Sequence, residues 1–180
     1  MSIIINDDNL KLEQIQEFNS KVRAFLVDDS GNILIANYGN VFLLPGGSVD
    51  QDENIESAIV RELKEETGCD YSIEELLYLN SLKYYQKDYP KRNGNLQNRL
   101  ITTHYFVARY KGISNQSLTE KEQKDKFRLE LVPMDKLEQL ILNNTSYNPR
   151  NMYFVKELLT ILAYYKQVYP EFAVKRKIRN

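Results

Sequence analysis

The chain has 180 residues, 42% of them hydrophobic and 27% charged, with a formal net charge of −1. That length can bury one sizeable core, and the near-neutral balance argues against a nucleic-acid or membrane-surface binder, which would carry a basic excess. A single cysteine, Cys69, and a single histidine, His104, exclude an internal disulfide framework and any zinc cluster of His/Cys type, and fit a reducing, cytoplasmic setting. No apolar run is long enough to span a bilayer, and isoleucines followed at once by acidic residues in MSIIINDDNL do not read as a signal peptide.

In chain order, residues 1–20 read as a lead-in or short helix, with Leu10, Leu12, Ile15 and Phe18 loosely at helical spacing. Three short strands joined by turn signals follow: Lys21–Asp29, Ile33–Tyr38 and Val41–Pro45, the pattern of an antiparallel meander. After Gly46-Gly47 the pattern becomes helical, with Ile55, Ile59 and Leu63 every four residues and Gly68 where a C-terminal cap belongs. Leu76–Tyr85 and Arg99–Tyr110 read as longer strands, with the polar segment 86–98 between them as a loop long enough to reach over a site. A second polar loop covers 112–126. Phe127–Pro133 is another strand, and Asp135 is positioned to cap the short helix after it. A long amphipathic helix runs from about Arg150 to Tyr169 and could pack on its own domain or on a partner, a homodimer included. With no internal repeat and no composition break, the expectation is one domain over 1–180, with 1–20 as lead-in and 149–170 as C-terminal helix. Its class is α/β with a mixed sheet.

Leu44–Gly68 holds seven acidic side chains. An acidic helix is ordinarily a solvated face. Here the spacing argues otherwise. At about 100° per residue with Ile55 as origin, Ile59 falls near 40°, Leu63 near 80°, Glu62 near −20°, Glu66 near 20° and Glu65 near −80°. Glu62, Glu65 and Glu66 therefore overlap or border the apolar stripe, while Ser57 and Lys64 take the far side. The i,i+4 pair Glu62/Glu66 repels by about 0.2–0.5 kcal/mol on an open helix. Divalent cations would turn that repulsion into a ligand set, and oxygen-only ligands favour Mg²⁺, with Mn²⁺ as the alternative. Gly46-Gly47 permits a turn that brings backbone N–H groups close, although a plain turn is the other reading. Arg61 can hold a carboxylate in one orientation or lie on the surface. Glu53 is either its partner or a charge favoured by the helix dipole.

Together Gly47, Glu53, Arg61-Glu62, Leu63, Glu65-Glu66, Gly68 and Cys69 resemble the Nudix hydrolase signature: Gly, five residues, Glu, seven residues, Arg-Glu, an aliphatic, any residue, Glu-Glu, any residue, Gly, an aliphatic. Cys69 departs from it in place of a larger aliphatic. The resemblance implies an α/β/α sandwich whose loop–helix–loop binds divalent metal through Glu62, Glu65 and Glu66, with Arg61 orienting a glutamate through Glu53. It also implies Mg²⁺-dependent hydrolysis of a nucleoside diphosphate linked to another moiety, by metal-assisted attack of water on phosphorus. The general base would be a glutamate of the motif or of a later loop, where Glu120 and Glu122 are the candidates. Arg99, Arg92 and Lys83 could meet phosphate, or be ordinary surface charges. Tyr84 and Tyr85 fall where some dinucleoside polyphosphate hydrolases carry a tyrosine, and with Tyr89 they could stack a base or pack as strand residues. A non-catalytic, nucleotide-sensing module of the same fold is the alternative function, and the intact acidic set weighs against it. A diphosphate isomerase of this fold would need a tryptophan, which the chain lacks. The basic end Lys175–Asn180 could recruit RNA but reads more simply as a solvated tail.

Overall fold

Alternation along the strand Glu17–Val27 (β2) sets the layering: Val22, Ala24 and Leu26 face one side of the sheet, Phe25 and Val27 the other. Each side needs its own cover, and two separate cores supply it. The computed structural model describes residues 1–39, 41–91, 93–124, 127–143 and 149–170, without the side chains of 121, 122, 149 and 150. Its elements are β1 (Ile3–Ile5), β2, β3 (Asn32–Tyr38), β4 (Phe42–Leu43), α1 (Ile55–Thr67), β5 (Leu77–Pro90), β6 (Leu96–Arg109), α2 (Glu120–Lys124), β7 (Phe127–Pro133), α3 (Met134–Asn143) and α4 (Pro149–Val168). The strands form one mixed sheet in the order β1-β5-β6-β2-β3-β4, with β7 also paired to β3. β2 and β6 run parallel from Glu17↔Arg99 to Val27↔Arg109, and β1 lies parallel to β5. The other pairings are antiparallel.

Helix α1 covers one face, where Ala58, Ile59 and Leu63 pack on Val22, Leu26, Leu34 and Phe106. The opposite face is covered by α3 and α4, whose Leu137, Leu158, Ile161, Leu162 and Tyr165 join Phe25, Ile33, Ile35 and Tyr105. Tyr165 stacks on Phe25 with ring centroids 4.4 Å apart. The apolar stripe of α4 is thus spent on its own sheet. The result is the expected α/β/α arrangement with an additional C-terminal helix. Among the described residues, no helix is long and apolar enough to cross a membrane.

Several boundaries differ from the sequence pattern. The N-terminal segment supplies a strand, β1, and only a 3₁₀ turn at Leu12–Gln14; Leu10 and Ile15 pack with Leu100 and Tyr85. Segment 86–98 is not a long loop: β5 and β6 continue as a hairpin to Pro90 and from Leu96, with a bulge between Gln86 and Tyr89. Gln86 and Gln97 are buried there, so a polar composition conceals a paired, packed ribbon. Asp135 sits inside the first turn of α3 and is not its cap.

The third expected strand shrinks to Phe42–Leu43 because the chain next leaves β3 and zips onto β2. Ala24 N–H donates to the Pro45 carbonyl at 2.9 Å, Val22 N–H to Gly47 at 3.0 Å, and Val49 N–H to Ser20 at 3.1 Å. Gly46 makes the crossing possible: its φ is +127°, and a Cβ there would lie 2.2 Å from the Val22 carbonyl oxygen. Helix α1 then starts at the N-cap Asn54, whose side chain accepts from Ser57 N–H at 2.8 Å, and ends on Gly68 at φ +74°.

Because Ile59 is fully buried between α1 and the sheet, Ile59→Ala is expected to cost about 2–5 kcal/mol, read as a shift in the urea unfolding midpoint.

Candidate active site

The turn zipped along β2 and the facing side of α1 bound a cleft of about 780 Å³. Its floor is Gly46, Gly47 and Ser48; Arg61, Glu62, Glu65 and Asp50 line the acidic side. Lys21 and Arg23 enter from β2, Tyr38 from β3, Val41 and Leu43 from around β4, Thr119 from ahead of α2 and Phe154 from α4. Its size suits a small organic ligand.

Glu66 is 0% exposed. Its Oε1 accepts from the Tyr38 hydroxyl at 2.5 Å and its Oε2 from Gly46 N–H at 2.8 Å. Burial pushes its carboxyl up to about 8, against the pull of those two donors. Glu62, 9% exposed, is likewise raised by burial while Arg61 opposes the shift. It lies so close to Gly47 that a Cβ on that glycine would fall 2.3 Å from Glu62 Oε1. Both carboxylates thus lie inward, as the helical spacing required.

Arg61 organises the rest. Its Nε and Nη2 donate to the two oxygens of Glu53 at 2.9 and 2.8 Å, a bidentate pair. The same guanidinium reaches Glu62 Oε1 at 2.9 Å, Glu65 Oε2 at 3.5 Å and the Ser48 carbonyl at 3.1 Å. That hydrogen bond holds the Glu53 carboxyl below the usual range, and Glu53 in turn raises Arg61. Glu53 is therefore in contact with Arg61, not a lone charge at the helix start.

The segment 114–117 straps the end of α1. Ser114 N–H donates to the Thr67 carbonyl at 2.7 Å, Gln116 Nε2 to Glu66 at 2.5 Å and Ser117 N–H to Glu65 at 2.8 Å. Those carbonyls would otherwise lack partners at the helix terminus. The strap delivers Thr119 to the cleft and leaves Glu120 at the head of α2, exposed and 4.0 Å from Lys124. The Glu122 side chain, Arg92 and Lys175–Asn180 lie outside the described residues.

Other expected contacts are elsewhere. Tyr84 is in the core beside Tyr153, and Tyr85 packs on the Leu10–Ile15–Leu100 cluster. Arg99 donates to Gln86 at 2.5 Å and lies 3.1 Å over the Tyr89 ring centroid. Lys83 pairs with Ile4 on β1. None of them lines the cleft. In their place stand Lys21, Arg23, Tyr38, Thr119 and Phe154. For Lys21 and Arg23 there was a signal: two cations at period two on the strand face that continues as Phe25 and Val27. Phe154 falls at helical spacing with Leu158 and Ile161, so it reads as core.

Among the described residues no three acidic, histidine or cysteine side chains converge as a ready-made cage for an ion. Mg²⁺ is typically held by one or two carboxylates, with water and substrate phosphate completing its shell. The donors are hard oxygens: Glu62 and Glu65 line the cleft, and the buried Glu66 accepts from Tyr38 and Gly46 behind them. The residue set fits such an ion.

A mixed sheet lies between helices, and an arginine-ordered acidic helix faces a glycine turn in a loop–helix–loop arrangement. The NUDIX domain profile matches residues 17–156, and the chain belongs to the Nudix family. Members of that family are generally hydrolases of pyrophosphate bonds and generally use divalent cations. Among solved structures, the E. coli ORF135 protein is similar over 86% of this chain and 96% of its own, at 19% identity and a TM-score of 0.51. The MutT protein from Methanosarcina mazei Go1 is similar over 93% and 99%, at 16% identity and 0.51. These likenesses speak for the fold. No curated protein sequence matches the chain.

Tyr38→Phe removes one of the two donors on a buried carboxylate, so it is expected to destabilise the metal-free protein by about 1–3 kcal/mol. Urea titration measures this, and an unchanged midpoint would show that the phenol contributes nothing.

Proposed function

We propose that the protein is a Mg²⁺-dependent pyrophosphohydrolase that cleaves a nucleoside diphosphate linked to another moiety. The observation that carries this reading is the concentration of Glu62, Glu65 and Glu66 on one face of α1, two of them buried, opposite a glycine turn and two cationic side chains. Glu62, Glu65 and Glu66 would hold the metal. When bound, it supplies charge neutralisation on the diphosphate and a lowered pKa for the attacking water.

The chain's own groups supply the rest. Arg61, locked by Glu53, fixes the carboxylates Glu62 and Glu65 from the cleft side. Gly46 N–H orients Glu66, and Gly47 leaves the space that Glu62 needs. Lys21 faces the cleft and favours an anionic ligand there. Arg23 is buried and donates to the Leu44 carbonyl at 2.5 Å, so it stiffens the turn as well as adding charge. Glu120 stands beside the cleft-lining Thr119 and is the candidate loop base.

The expected result is release of phosphate or a nucleoside monophosphate from a diphosphate substrate only with Mg²⁺ or Mn²⁺, and none in excess EDTA. The double variant Glu65→Gln/Glu66→Gln is expected to lose at least 100-fold in kcat, a typical effect of removing electrostatic stabilisation of the transition state. Product identification by mass across nucleoside diphosphate derivatives tests both; full turnover by the double variant would overturn the assignment of those two residues.

A further inference from the structure

Beyond the acidic wall the cleft has an inner extension. A notch of about 10 Å³, room for roughly one water-sized group, opens between the sheet and α4. It shares Lys21, Arg23, Leu43 and Phe154 with the main cleft, so the two are continuous. At the notch stands Glu157, 7% exposed, three residues after Phe154 and on the same side of α4.

Both hydrogen bonds to Glu157 fall on one oxygen. The hydroxyls of Thr103 and Tyr105 each donate to Oε1 at 2.6 Å. Those two side chains come from successive inward positions of β6 and are fully buried, so they fix the carboxylate plane. Oε2 has no hydrogen-bond donor among the described residues. The family signature makes no use of Glu157, and it is remote from the α1 carboxylates in sequence and on the opposite side of the sheet.

We propose that Glu157 is a specificity-determining residue that reads the base of the substrate by accepting a hydrogen bond at Oε2 from an exocyclic amino group. The ring stays in the main cleft against Phe154 and Leu43, and only its amino group enters the notch, which is sized for it. Adenine and cytosine carry such an amino donor where hypoxanthine and uracil carry a carbonyl oxygen, and guanine carries a 2-amino group that hypoxanthine lacks. A carbonyl oxygen facing Oε2 sets acceptor against acceptor, which turns a missing bond into a repulsion. Thr103 and Tyr105 are positioning residues that keep Oε1 occupied and Oε2 turned to the ligand. The inference rests on the nucleotide reading above but not on turnover.

The test uses the matched nucleotides ATP and ITP, GTP and ITP, and CTP and UTP. Binding is measured by calorimetry with Ca²⁺ in place of Mg²⁺, and hydrolysis with Mg²⁺. In at least one pair the amino-bearing nucleotide is expected to bind tenfold or more tightly, with the same ratio carried in KM and little change in kcat. Glu157→Gln, which offers an amide N–H in place of Oε2, is expected to bring that ratio within threefold or reverse it. Should that variant fail to fold, Glu157→Asp, which withdraws the carboxylate by one methylene, is expected to lose the discrimination. Ratios within threefold in the wild type, discrimination that survives both substitutions, or no binding of any of these nucleotides would each overturn the proposal. Discriminating binding without hydrolysis would uphold it while sinking the hydrolase reading.

Discussion

The pair of hydrogen bonds that Glu66 accepts, from the Tyr38 hydroxyl and the Gly46 amide, ties three parts of the chain to one buried carboxylate. Helix α1 contributes the acid, β3 the phenol and the turn after β4 the amide. Burying a carboxylate is expensive unless it is hydrogen-bonded or paired, so the site is built around satisfying it. The turn can reach Glu66 only because it lies along β2, and it lies along β2 only because Gly46 passes within contact of the Val22 carbonyl. A cation held beside Glu62 and Glu66 would enter a frame already fixed by a phenol and a backbone amide, which is what pre-organisation for charge requires.

Charge is apportioned between two systems. Arg61 gathers Glu53, Glu62 and Glu65 on the α1 side. On the α4 side Glu157 is met by hydroxyls. Lys21 and Arg23 stand between the two, on the strand that forms the common wall. One ligand with an anionic end and a planar end would span them.

The placement of the acidic side of the cleft was largely legible from spacing. The wheel positions of Glu62 and Glu66 required burial, and the structure buries them; Glu53 and Arg61 stand eight residues apart and meet. Contacts that depend on sheet order were not legible. Tyr84, Tyr85 and Arg99 sit on β5 and β6, where the pairing sends them to the core or to Tyr89. Nothing local in their sequence distinguishes that from facing a cleft. Phe154 and Tyr38 line the cleft instead, yet an aromatic residue at core spacing looks the same in sequence whether it faces protein or an open cleft. The hairpin hidden in segment 86–98 was missed because Gln86 and Gln97 are buried polar residues, which periodicity reads as solvent.

The parallel pairing of β2 with β6 has a consequence for how the molecule is made. Glu17 meets Arg99 and Val27 meets Arg109, so each paired residue of these two strands lies 82 positions from its partner along the chain. Such pairing is slow to find, because loop closure must be paid for before any contact rewards it. During synthesis the acidic helix α1 leaves the ribosome long before β6 can dock beside β2, and α4 arrives later still. Until then β2 lacks the neighbour that completes the wall of the cleft, and Thr103 and Tyr105, which hold Glu157, are not yet in place. Assembly order therefore matters as much as final geometry: the wall of the cleft closes only when the late strand β6 reaches β2.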